Sequence, residues 1–595
     1  AEVLDLTDKT ITTDGYNFVI KEGGSLIVKG QGTVKSEKVA TKKNEIFKTF
    51  MVEEGGSLII NGGTFTTKTA QFIVSRGTVN VTGGNFSAEY NTENDYTDSN
   101  CAFVITGENS TLNMTGGTIN AENGADDCGL YGIYASNGAV VNLGDAETEG
   151  PTVTSYCAPL GCNHDTETGT YNVYSGTYES TWTGGDTNYN YFHGAIYAAC
   201  KGAVNIEGGT FKGEYGVAIP YDNVGLKLTI SGGDFTQLKK DTINESHKTV
   251  PEDNETNNTL ITGGTFSSDV SAYVADGYVL NGNTVVKNTN SAGAVAAIDN
   301  QCFKTLAGAI DAASDGATVK LIKDIKEDIT VPAGKSITID LNSKSITNSS
   351  SDTITVAQGA NLTIKGTGTV DNITHGKAAL VNYGTAVLDG GTYTRSLEDE
   401  ENNKDSAGKN SFYTILNDKG GNMTIKNGVN VTNKGHFSSM IRNGGDSASQ
   451  SASKLKINGG SFSGGINTVK NDELGELTVS GGSFSNTSQF VIMNWHKANL
   501  SGGRFEANDS AEAVLFTAKY AENRAVGELA VTGGTYVCKD NQKVICNQYN
   551  SGEYTGNANI TGGTYSLDPS DYVVSGYYAA KNSDGTYTVY RYVPS

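Results

Sequence analysis

Proline is scarce, with 7 in 595 residues, and so are tryptophan (2), methionine (5) and histidine (6). Few prolines leave nearly every backbone N–H free for sheet ladders. No run of 18 apolar residues occurs, so no membrane-spanning helix is expected. The chain opens on AEVLDL, already alternating, so any leader is expected to have been removed or to lie outside this stretch. The eight cysteines contain no C-x-x-C and no metal-ligand spacing. Cys101 with Cys128, Cys157 with Cys162, and Cys538 with Cys546 are spaced for pairing, with buried free thiols as the alternative. Positive charge is also short, 43 Lys and Arg against 65 Asp and Glu, a net −22. Nucleic acid and anionic membranes are therefore poor partners, since their phosphates meet repulsion over the surface. The acidic stretch Glu398–Glu401 (EDEE) offers weak calcium binding at most, because the D-x-D-x-D-G and GGxGxD patterns are absent. No cofactor is expected.

What the chain has in abundance is glycine, 75 residues, and much of it recurs in one frame. TVNVTGGNF (Thr78–Phe86) carries two alternating apolar positions, a Gly-Gly pair, a small polar residue and an aromatic. The frame returns as IINGGTF (Ile59–Phe65), NIEGGTF (Asn205–Phe211), TISGGDF (Thr229–Phe235), KINGGSF (Lys456–Phe462), TVSGGSF (Thr478–Phe484) and NITGGTY (Asn559–Tyr565). The first glycines of neighbouring pairs, such as Gly62 and Gly83 or Gly459 and Gly481, lie 21 to 24 residues apart, and elsewhere about 30. A fixed period of this size marks a solenoid, with the longer intervals carrying surface loops. Phe72 and Val74, Val79 and Val81, then Phe86 alternate with period 2, which is strand rather than helix. Three short strands per coil are expected, with the glycine pair where the chain turns and the aromatic pointing inward.

Three strands in about 22 residues resembles the right-handed parallel β-helix of the pectate-lyase-like superfamily, over nearly the whole chain. The resemblance implies an all-β fold of stacked parallel sheets. Two homologous units are expected. LDLTDKTIT (Leu4–Thr12) matches IDLNSKSIT (Ile339–Thr347), LIVKGQGTV (Leu26–Val34) matches LTIKGTGTV (Leu362–Val370), and Gly263–Val286 parallels Gly562–Val589. The expected organisation is a first β-helix over 1–290 and a second over 291–595, joined by the small-residue linker Lys287–Ala297. Leu306, Ile310 and Ala313 have helical spacing ahead of Gly316, predicting an amphipathic capping helix near 304–314. The first unit lacks such a cap, so a preceding domain or another molecule is expected to cover its first coil.

In the second unit Asn382, Asn417, Asn443, Asn471, Asn494 and Asn547 each end an apolar strand, with Thr517 on the remaining rung. These predict an asparagine ladder, stacked amides that satisfy one another inside the turn. At the same place the first unit has Glu53, Ser75 and Thr106, so the ladder is not kept there.

Enzymes on this fold cleave acidic polysaccharides, and the resemblance directs attention to their residues. Asp126-Asp127 is a carboxylate pair, but the G-H-G and R-x-K partners of polygalacturonase-like action are missing. His164-Asp165 places a base beside a carboxylate. These four are candidate catalytic residues, and they form no complete constellation. Aromatic residues are more suggestive, because rings with polar tips stack on sugars. Tyr174, Trp182, Tyr189, Tyr191, Phe192 and His193 crowd one long loop region, and Trp495 poses the same question in the second unit. These seven are the candidate ligand-binding residues.

The GGTF and GGTY units and the closing segment also look like large surface proteins of Gram-positive bacteria. The resemblance implies an extracellular or cell-surface adhesin or stalk, displaying loops for a glycan or surface protein. Two alternatives stand beside it: a polysaccharide lyase or glycoside hydrolase, and a subunit of a head-to-tail filament.

Overall fold

The computed structural model describes residues 1–593 except 16–17, 40–46, 69–70, 90–100, 124–130, 164–166, 184–192, 220–224, 246–257, 399–411, 436 and 446–450. Two compact units divide at Ala1–Lys287 and Asn288–Ser595. Each is built of short, mostly parallel strands stacked rung upon rung, an arrangement compatible with a β-solenoid.

In the first unit a nine-stranded sheet runs from Phe18–Ile20 to Ile243–Asn244. A twenty-stranded sheet supplies the remaining strands of each rung. Its two columns join because Ser57–Thr67 and Thr78–Glu89 run unbroken through their Gly-Gly pairs. The pairs at Gly62-Gly63 and Gly83-Gly84 are therefore kinks within one strand rather than turns between two. The two glycines of a pair serve different ends. Gly233 has φ 98°, a conformation that a Cβ penalises, whereas a Cβ on Gly232 would meet the Glu207 carbonyl oxygen of the preceding rung at 2.0 Å.

The frame's aromatic points inward and stacks on its counterparts. Phe211 and Phe235 lie 4.5 Å apart and nearly parallel, and Phe235 continues onto Phe266 at 5.3 Å. In the second unit Phe462, Phe484, Phe505, Tyr536 and Tyr565 form one such column at 4.6 to 5.0 Å. Tyrosine is tolerated in this dry column because its hydroxyl returns to its own glycine pair. Tyr565 Oη donates to the Gly562 carbonyl at 2.7 Å, and Tyr536 Oη to that of Gly533 at 2.8 Å.

The second unit contains sheets of twelve, twelve and nine strands. Near its start the helix Leu306–Ala312 buries Leu306, Ala309 and Ile310 in the same apolar cluster as Val319, Leu321, Ile329 and Val331. Thr305 Oγ1 accepts from Gly308 N at 2.9 Å, and the Glu327 carboxylate accepts from Leu306 N at 3.1 Å, so the first turn's donors are satisfied. Lys335 Nζ donates to the carbonyls of Asp311 and Ala313 at the other end. No helix among the described residues is long and apolar enough to cross a membrane.

Both units finish alike. A 3-10 turn, Ser271–Tyr273 or Ser570–Tyr572, leads into an antiparallel hairpin, Tyr278–Asn281 with Thr284–Lys287, or Tyr577–Lys581 with Tyr587–Arg591. The hairpin lays an antiparallel strand on the last parallel one, at Thr265–Thr284 and Thr564–Thr588.

Candidate functional site: an aromatic platform on the second unit

The nine-stranded sheet of the second unit carries the ladder on its buried side. Asn382 Nδ2 donates to Asn417 Oδ1 at 2.7 Å, Asn417 to Asn443 at 2.7 Å, Asn443 to Asn471 and Asn471 to Asn494 at 2.8 Å, and Asn494 to Thr517 Oγ1 at 3.1 Å. All six side chains are fully buried. The donors all point toward later rungs, so Asn382 Oδ1 is left without a donor among the described residues; the rung before it presents Val356, whose side chain has none to give. Asn547 is half-buried and its Oδ1 accepts from Tyr572 Oη at 3.4 Å.

The ladder also fixes its immediate neighbour in the chain. Trp495, next after Asn494, has its backbone N–H bonded to the Asn471 carbonyl at 2.8 Å and its ring turned onto the outer face of the sheet. There it is 4% exposed and packs on Phe516 at 4.8 Å, with Phe490, Met493 and the Cys546 thiol in the same cluster. Burial pushes the Cys546 thiol's pKa up, which keeps it protonated and inert.

Two excursions from later rungs then set tyrosines on that base. The loop from Ala518, closed by Gly527 N donating to the Ala518 carbonyl, carries Tyr520, and an Arg524–Glu473 ion pair at 3.2 Å ties it to an earlier rung. The small hairpin Gln548–Tyr549 with Tyr554–Thr555 carries Tyr549. Both rings meet Trp495 edge to face, at 5.4 and 4.9 Å, and lie within 15° of parallel to one another at 6.0 Å. Tyr520 is 48% and Tyr549 40% exposed. The result is a pair of aligned, half-exposed phenol rings on a buried indole, which suits stacking against an apolar ring face with hydroxyls at its edge.

The first unit places a related cluster on its nine-stranded sheet, and here both sequence-predicted tryptophans behave alike. Trp182 is 6% exposed and lies 5.3 Å from the His193 ring, which is 5.5 Å from Tyr197. His193 Nδ1 is buried without a hydrogen-bond partner among the described residues, and burial lowers its pKa to about 4. Neither Trp182 nor Trp495 therefore offers its own ring to solvent. Tyr174 is 38% exposed on a different turn, directly after Thr170–Val173. Tyr189, Tyr191 and Phe192 lie outside the described residues, as do Asp126, Asp127, His164 and Asp165.

The described cysteines are all free thiols, Cys157, Cys162, Cys538 and Cys546 included; Cys128 is not among them. Glu398, the first residue of the acidic stretch, is buried and committed to Arg395 Nε and to the Phe412 backbone N–H; Asp399, Glu400 and Glu401 are not described. Among the described residues no three His, Cys, Asp or Glu side chains are grouped as metal ligands.

Three features escaped sequence reading. Tyr520 and Tyr549 sit in loops of different length, and nothing in their local pattern ties them to Trp495. Arg395 occupies the position of Asn372 and Asn433 on neighbouring rungs and is just as buried, a substitution that the motif TYTR against NVTN already displays. The first unit has an asparagine ladder of its own on another sheet. Asn113 Nδ2 donates to Asn80 Oδ1, Asn142 to Asn113, Asn172 to Asn142 and Asn205 to Asn172, at 2.8 to 2.9 Å. Its signal was the central asparagine of TVNV, TLNM, VVNL, TYNV and AVNI. No protein-family profile matches the chain, and neither the curated proteins nor the solved structures yielded a match.

Proposed function

We propose that the chain is an extracellular, surface-type protein of two tandem β-solenoids that binds glycan through aromatic platforms raised on its sheet faces. The observation that carries this reading is the aligned pair Tyr520 and Tyr549, 48% and 40% exposed yet held on the buried Trp495 ring. Rings already fixed in place lose little conformational freedom on binding, so their contact area converts into affinity with small loss. The helix Leu306–Ala312 closes the first rung of the second unit in this reading, as solenoid ends require. The acidic surface, net −22, favours neutral over anionic glycans.

The test is retention of the whole chain on immobilised neutral polysaccharides, with released reducing and unsaturated sugar ends recorded in parallel. Tyr520→Ala and Tyr549→Ala should each weaken retention roughly 2- to 12-fold, the equivalent of about 0.5–1.5 kcal/mol for one aromatic contact. Retention unchanged in both variants refutes the platform, and release of sugar ends replaces the binding reading with an enzymatic one.

A further inference from the structure

A groove of about 950 Å³ runs along the second unit at the turn after the frame's aromatic strand, away from the residues of the platform. Its floor is a register column on five successive strands: Thr394, Thr432, Ser463, Ser485 and Glu506. Four of the five are hydroxyls. Thr432 Oγ1 donates to Thr394 Oγ1 at 3.2 Å and Ser485 Oγ to Ser463 Oγ at 3.4 Å, so the column holds two hydrogen-bonded pairs of hydroxyls, one after the other. With neighbouring strands about 4.8 Å apart, five rungs make a track of about 19 Å. Beside it the next residues in sequence are buried and fixed. Asn433 Nδ2 bonds the Phe412 carbonyl, Asn486 Nδ2 the Ile466 carbonyl, and Arg395 is held by Glu398.

The chemistry of the track selects among extended ligands. Its lining carries two cations, Arg395 and Lys434, against three carboxylates, which are matched locally: Glu398 by Arg395, Glu506 by Arg504 at 3.0 Å, and Asp509 by Lys539. A polyanion thus finds no concentrated positive charge. A peptide that adds as a strand needs an open sheet edge, whereas these strands are paired on both sides within their sheet. What the first four rungs of the floor offer is a row of neutral donors and acceptors, which a hydroxyl-dense neutral chain can match rung by rung. We infer that this groove is a second, extended binding site that takes a linear neutral polysaccharide lengthwise. The inference rests on the glycan-binding reading above and names the ligand class for a different surface.

The experiment uses the full chain and cello-, manno- and malto-oligosaccharides of two to eight sugars as probes, with oligogalacturonate as the anionic control, followed by titration calorimetry. One neutral series should bind with affinity that rises with length until the oligomer spans the track and then levels off. Ser463 is exposed at the centre of the floor, so Ser463→Trp should obstruct the track without entering the core and weaken the longer oligomers at least 10-fold. Ser463→Thr, which keeps the hydroxyl, should restore them. Length dependence that survives Ser463→Trp but disappears in Tyr520→Ala with Tyr549→Ala overturns the groove and leaves the platform standing. Length dependence lost in Ser463→Trp and untouched by the tyrosine variants supports the groove and refutes the platform. Preference for oligogalacturonate, or no binding in any neutral series, overturns the inference.

Discussion

Replacing Asn443 by leucine tests whether the asparagine ladder is a stabilising device or a passive consequence of stacking. Leucine keeps the forked shape of asparagine but is bulkier, so an overpacking cost adds to the chemical one at this buried site. Asn443 Nδ2 donates to Asn471 Oδ1 at 2.8 Å and to the Glu476 carbonyl at 3.2 Å, while its Oδ1 accepts from Asn417 Nδ2 at 2.7 Å. After substitution Asn471 Oδ1 loses its amide donor at a fully buried site, at about 1–3 kcal/mol, and the remaining lost bonds add about 1 kcal/mol. Asn417 Nδ2 is cushioned, because it keeps the Gly421 and Lys454 carbonyls at 3.1 and 3.0 Å. The hydrogen-bond losses come to about 2–4 kcal/mol, to which overpacking adds. Asn382→Val should cost a similar amount, about 2–4 kcal/mol, because it takes the Nδ2 donor from the fully buried Asn417 Oδ1, although the Asn382 oxygen itself has no donor to lose among the described residues. The assay is urea unfolding of the whole chain by circular dichroism, with hydrogen exchange on Ile415–Asn417, Ile441–Asn443 and Asn467–Asn471 to localise the loss, because solenoids weaken rung by rung. Losses for Asn443→Leu and Asn382→Val no larger than that for the exposed Asn557→Ala would refute the argument.

Gly232→Ala should be far more damaging than Gly282→Ala. The first drives a Cβ into the Glu207 carbonyl, whereas the second strains only the backbone, by about 1–2 kcal/mol, with nothing within 4 Å; equal melting shifts would contradict this. Glu398→Gln leaves the buried Arg395 guanidinium without its counter-charge and should cost about 3–5 kcal/mol, while the double change Arg395→Asn with Glu398→Gln, which restores the column's usual residue, should be milder; chemical denaturation of the three proteins decides it. His193 is held neutral, with its pKa near 4 against about 6.5 unfolded, so between those values the unfolded chain binds the extra proton and stability should fall as pH falls. His193→Gln should flatten that slope in melting curves, and an unchanged slope would exclude the residue as its source. Cys162 and Cys200 are each 2% exposed, so both should stay unlabelled by an alkylating reagent in the folded chain and react only once it is unfolded, read by mass spectrometry; labelling of the native protein would contradict their burial.

Sequence alone determined the repeat. Period-2 alternation, the glycine pairs and the aromatic behind them are local requirements imposed on every rung, so each recurs in the chain at the coil's own spacing. The second unit's ladder was legible for the same reason: a residue that must hydrogen-bond its counterpart above and below must repeat in register, as Asn417, Asn443 and Asn471 do. The short helix was legible from its apolar spacing and the glycine that follows it, whereas its Thr305 cap emerged only in the structure. The division of labour within a glycine pair was not, because the near approach of the Glu207 carbonyl to Gly232 comes from the neighbouring rung. Nor was the surface. Trp495 was visible as a rare residue, but whether its ring faced water depended on two insertions that begin 23 and more than 50 residues later in the chain, at Ala518 and Gln548. Insertions escape the repeat, so no periodicity announces where they fold back. The hydroxyl track lay in plain sight as the small polar residues of NVTN, SFSG and SFSN, yet only stacking aligned them into one groove, because a site shared among rungs exists in no single stretch of sequence.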